Sequence, residues 1–155
     1  MYTAFLVLHS ALRWVAILLG LWAVAGAVGG ANARRDWTPA DDARGRWFVM
    51  SLDVQLLIGL ALYLGLGPYF TLGINDVAGT MRSPQIRFFF VEHPFGMLVA
   101  IALAHVGRVK SRRAPDALRR HKSAAAFFGL ALLVILLSTP WPFSPGARAL
   151  FRWFE

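Results

Sequence analysis

The chain alternates four times between a long apolar run and a short polar stretch. The runs cover residues 2–28, 47–66, 88–106 and 124–139, and only isolated polar groups such as His9 and Arg13 interrupt them. A bilayer core of roughly 30 Å needs about 20 apolar residues in a helix, and each run meets or approaches that length. The runs are continuous rather than alternating, which argues against β-barrel strands. The fourth is short and stops at Pro140, followed by Pro142 and Pro145, which bar further regular helix. The pattern predicts an all-α fold, an integral membrane four-helix bundle, with residues 1–155 forming a single domain.

The polar stretches orient the bundle. The first loop, 29–46, carries Arg34, Arg35, Arg44 and Arg46. The third, 107–123, carries Arg108, Lys110, Arg112, Arg113, Arg119, Arg120 and Lys122. The second, 67–87, holds only Arg82 and Arg87. Excess Lys and Arg marks cytoplasmic loops, so loops one and three are expected inside and both termini outside. The expected location is a bacterial inner membrane, crossed several times. Thr38-Pro39-Ala40-Asp41 is expected to open a short helix within the first loop. The second loop, with Gly67-Pro68 and Gly73, is expected to be irregular. The aromatic tail, 147–155, is expected to lie flat on the outer surface. Trp47, Tyr69, Trp141 and Trp153 sit near run ends, as interfacial aromatics do. The N-terminus lacks the basic n-region of a cleavable signal peptide.

Composition narrows the function. Hydrophobic residues make up 57% and charged residues 15% of 155, with mean hydropathy +0.55. Soluble domains carry about 25% charged residues, so this chain cannot cover a soluble surface. Cysteine is absent, which removes disulfides, Cys-ligated zinc, iron–sulfur clusters and covalently attached haem. The net charge of +8 has no nucleic-acid motif beside it and reads as topology rather than nucleic-acid binding.

Ionisable groups inside the runs carry the candidate chemistry, because burying them in hydrocarbon costs roughly 2.5–3.5 kcal/mol each. His9 and Arg13 lie four apart on one face of the first helix. Glu92 and His93 lie near the start of the third, which runs in the same direction. His9 and His93 therefore sit at similar depth. Two histidines from different helices can ligate a haem iron from both faces, with Arg13 on a propionate and Glu92 orienting a histidine. Gly96, three residues after His93, can let a flat ring approach the backbone, and Ala100 and Ala104 continue the small stripe. The plainer reading is helix packing by that stripe, an Arg13–Glu92 ion pair, and histidines bonded to each other, to Ser10 or to backbone.

A second polar layer lies nearer the inner side. Asp53 and Gln55 open the second helix, and His105 closes the third. Asp53 and His105 are expected to meet as a polar pair: a structural contact, a proton relay or a second ligand set. His93 and His105 are 12 residues apart, a rotation of about 120°, which disfavours two haems stacked on one face. His121, among Arg119, Arg120 and Lys122, is expected in solvent or among headgroups. No phosphate loop, HExxH or Ser–His–Asp arrangement is present. Paired central breaks of the transporter type are lacking too.

Several motifs together resemble a known group. Leu8-His9-Ser10 with Leu12-Arg13-Trp14, Gln55-Leu56-Leu57-Ile58-Gly59-Leu60, Arg87-Phe88 with Glu92-His93, and Pro140-Trp141-Pro142-Phe143 resemble a family of small four-helix bacterial integral membrane proteins labelled cytochrome-b-like. The likeness covers nearly the whole chain. It implies b-type haem and electron transfer. In that family the second helix often has His where this chain has Asp53, which leaves His9 and His93 as the remaining ligand pair, or leaves the protein haem-free.

The expected function is therefore a membrane haem b protein that passes electrons, His9 and His93 being its metal ligands. Its partners would be a quinone or a larger respiratory or photosynthetic complex, with homo-oligomer formation open and no independent catalytic activity. Two rivals stand beside it. One is a haem-free accessory subunit of a larger bioenergetic complex. The other is a small channel or transporter built on Asp53, Glu92 and Arg13.

Overall fold

A computed structural model describes residues 1–149; residues 150–155, which hold most of the expected surface tail and Trp153, lie outside the described part. Four helices are long and apolar enough to cross a membrane, spanning Tyr2–Asn32, Pro39–Leu66, Pro84–Arg113 and Ala117–Leu137. Among the described residues there is no strand. In chain order the elements are α1 (Tyr2–Asn32), α2 (Pro39–Ala61), a π-helical turn (Leu62–Leu66), and the short α3 (Tyr69–Asn75), α4 (Val77–Arg82) and α5 (Pro84–Arg87). A second π turn (Phe88–Glu92), α6 (His93–Arg113) and α7 (Ala117–Leu137) follow. The long helices form a ring in which α1 packs on α2, α2 on α6, α6 on α7 and α7 on α1.

The helix ends differ from the expected loops. Thr38 does not open a separate loop helix; it caps α2 itself. Its hydroxyl accepts from the Asp41 N–H at 3.4 Å, Asp41 accepts from the Thr38 N–H at 3.0 Å, and Pro39 fills the first turn. This reciprocal box, with proline where an N–H has no helical partner, fixes the start of the helix. The third loop shrinks to residues 114–116, because Asp116 caps α7 by accepting from the Arg119 N–H at 2.8 Å. Most of its basic residues thus stand on helix ends. The second loop is not irregular. Asp76 caps α4 and Pro84 opens α5, so local caps convert it into three short helices.

The core rests on small residues that admit large rings. Phe48 of α2 and Phe128 of α7 meet edge to face at 5.7 Å and are 0% and 2% exposed. Close packing of this kind holds helices together. A Cβ at Gly45 would stand 2.8 Å from Phe128 Cζ, and one at Gly107 would stand 3.2 Å from its ring. On α6 the small stripe Gly96, Ala100, Ala104, Gly107, Ser111 is buried throughout.

Candidate functional site

The opening of α6 explains where its histidine points. Pro94 has no N–H, so it cannot bond the carbonyl of Phe90, four residues before it. The Tyr63 hydroxyl, from the first π turn, donates to that carbonyl at 2.8 Å. The His93 N–H reaches back five residues to Phe88, which completes the second π turn. Such turns widen a helix and re-aim its side chains. His93 Nδ1 lies 2.7 Å from the carbonyl oxygen of Ser138. A carbonyl only accepts, so Nδ1 is the donor and Nε2 keeps its lone pair. Ser138 follows α7 directly, where the last carbonyls of a helix lack helical partners.

His9 meets His93. The ring centroids are 6.3 Å apart and the planes cross at 80°. Gln55 of α2 donates from Nε2 to the His9 carbonyl at 3.1 Å. Gly59, one turn on, faces the His9 ring; a Cβ there would stand 3.3 Å from Cε1. The ring's Nδ1 is buried with no hydrogen-bond partner among the described residues. Arg13 sits one turn further along α1, with its guanidinium 5.3 Å from the centre of the Trp14 ring. Trp14 in turn edges onto Trp141 at 6.1 Å. Phe88 and Phe89 surround His93 at 6.0 and 6.2 Å. All four long helices, or the residue next to one, thus converge on one polar centre in an apolar frame.

Two residues expected at this centre take other roles. Glu92 pairs with Arg87 at 2.6 Å, both side chains about two-fifths exposed, so the orienting partner of His93 is the Ser138 carbonyl instead. The face of Gly96 is filled: a Cβ there would collide with the Ser138 hydroxyl. Gly96 serves the contact of α6 with the end of α7 and offers no room for a flat ring. Tyr63 and Ser138 were not singled out from sequence, and Gln55 was expected in the other polar layer, with Asp53. The signal for Tyr63 is Pro94, which frees a carbonyl inside an apolar run and so requires a donor.

His9 and His93 are two imidazoles from different helices, the donor type that a haem iron takes. The anchored Nδ1 of His93 is the usual arrangement behind a metal-bound histidine. Among the described residues no cluster of three or more His, Asp or Glu side chains could hold a bare metal ion.

The second polar layer forms as a pair. His105 Nε2 lies 2.9 Å from Asp53 Oδ1, and both side chains are about half exposed on the outer face where α2 meets α6. Gln55 belongs to the His9 layer instead, since two residues along a helix turn it to the other side.

His121 contradicts its expected solvated position. It is 0% exposed, with Trp37 at 4.9 Å on one side and Gly30 of α1 against its edge. Neither ring nitrogen has a hydrogen-bond partner among the described residues. The short 114–116 turn causes this, because it places His121 on α7 facing the end of α1. Above it a charged layer closes the bundle. Asp41, 4% exposed, takes both Arg35 guanidinium nitrogens at 2.6 Å and Arg44 at 2.7 Å.

No protein-family model, curated protein or solved structure matches this chain.

Proposed function

We propose that this chain is a multi-pass inner-membrane haem b protein that carries electrons, with His9 and His93 as the residues that would hold the haem. The observation that carries the proposal is the 6.3 Å approach of two imidazoles from different helices, one anchored through Nδ1. The motif likeness to small cytochrome-b-like membrane proteins points the same way. When bound, the haem supplies one-electron transfer. The chain's own residues do the rest. Ser138 holds His93 in the tautomer that presents Nε2. Gln55 fixes the His9 backbone, and Gly59 leaves the His9 ring space to turn. Arg13, one turn from His9, supplies a cation for a propionate. Phe88 and Phe89 keep water from His93, which raises the influence of every nearby charge. The basic ends of α1, α2, α6 and α7 face the cytoplasm in this reading, and both termini face outward. A quinone or a larger membrane complex would exchange electrons with it.

A second reading has its own observation. The half-exposed Asp53–His105 pair faces outward between two apolar helices, where lipid is a costly neighbour. A haem-free accessory subunit would cover that pair against a larger complex or a second copy. Haem titrated into the detergent-purified protein separates the two. A saturable Soret band at one haem per chain, with sharp bands on dithionite reduction, supports the carrier. A folded protein that stays colourless moves the function to the accessory subunit.

A further inference from the structure

A groove of about 630 Å³ runs between the end of α6 and the start of α7, lined by Val106, Val109, Lys110, Arg113 and Ser123 among others. Its polarity changes along its length. His105, Val106 and Val109 are exposed ahead of the last turn of α6, in which Lys110 and Arg113 stand. Three neighbouring cations are already engaged. Arg108 and Arg112 share Asp42 at 3.3 and 3.5 Å, and Arg119 pairs with Asp116 at 3.3 Å. Lys110 and Arg113 meet no carboxylate among the described residues. The Lys110 ammonium lies over the Phe127 ring at 5.4 Å, which holds it at the groove. The carbonyl end of α6 contributes about half a negative charge, so two cations there exceed what the helix dipole needs. Ser123, half-buried in the wall, adds a hydroxyl donor.

We propose that this groove binds an anionic phospholipid, with the phosphate on Lys110, Arg113 and Ser123 and an acyl chain along Val106 and Val109. Exposed valines beside two cations that meet no carboxylate among the described residues suit such a lipid better than a free anion. The proposal rests on insertion in a bilayer and is independent of haem.

The test uses the full chain in a neutral detergent, with native mass spectrometry of bound phosphatidylglycerol and phosphatidylcholine of equal acyl length. The wild type is expected to retain phosphatidylglycerol selectively. The Lys110→Gln/Arg113→Gln variant is expected to bind it about thirtyfold more weakly, each cation being worth roughly a factor of five. The Arg119→Gln/Lys122→Gln variant, checked like the others for a monodisperse folded state, is expected to bind as the wild type does. Equal retention of the two lipids would overturn the proposal. So would an equal loss in both double variants, which would mean surface charge alone, or full displacement of the lipid by inorganic phosphate, which would mean a free-anion site.

Discussion

Replacing Tyr63 by Phe removes one hydroxyl and little else, because the ring keeps its contacts with Phe70 at 5.2 Å and Phe90 at 6.5 Å. The lost bond is the one to the Phe90 carbonyl. A hydrogen bond of this kind is worth about 0.5–1.5 kcal/mol net, and those between helices in membranes average roughly 0.6, with a maximum near 1.7. Pro94 has removed the donor that would otherwise serve this carbonyl, so the upper half of that range applies and the expected cost is about 1 kcal/mol. Pro94→Ala restores a backbone N–H within reach of Phe90. In that background the cost of Tyr63→Phe should fall to a few tenths of a kcal/mol, a coupling of about 0.7 kcal/mol, above the 0.3–0.5 scatter of additivity. The assay is reversible unfolding in mixed micelles by added dodecyl sulfate, followed by helical circular dichroism, for the four proteins of the cycle. Equal costs of Tyr63→Phe in both backgrounds would refute the claim that the hydroxyl replaces the missing proline donor.

Three further outcomes follow from the same geometry. Gly30→Ala puts a methyl group into the His121 ring, which Trp37 holds from the other side, so it should destabilise the bundle by about 1–3 kcal/mol in the same unfolding assay. His121→Ala should recover part of that loss in the Gly30→Ala background. Thr38→Ala removes one half of the capping box and should cost about 1 kcal/mol, read as a lower unfolding midpoint at unchanged slope. Glu92→Gln should leave the haem spectrum unchanged and alter stability by less than about 1 kcal/mol, because its partner is Arg87 on an exposed surface.

The architecture was legible because long continuous apolar runs impose it. Each of the four long apolar runs falls on one long helix, and the matched depth of His9 and His93 follows from two helices running in one direction. The Asp53–His105 contact was legible for the same reason. What stayed hidden depends on caps and on side-chain direction. The Asp116 cap shortens the third loop to 114–116 and carries His121 from the solvent into the bundle. Gly96 has the spacing of a ring-approach residue, yet which neighbour fills its face is decided by where α7 ends. Glu92 stands beside His93 in sequence but turns about 100° away from it on a helix, toward Arg87. Tyr63 is 31 residues from Pro94, and only the packing of the two π turns joins them.

The most direct test of the histidine pair uses the four histidines of the chain, His9, His93, His105 and His121, each replaced by alanine in turn. The oxidised and reduced absorption spectra of each haem-loaded, folded variant are compared with the wild type. The account expects His9→Ala and His93→Ala each to abolish the sharp reduced bands, while His105→Ala and any folded His121→Ala keep them. A wild-type spectrum in either His9→Ala or His93→Ala would contradict it.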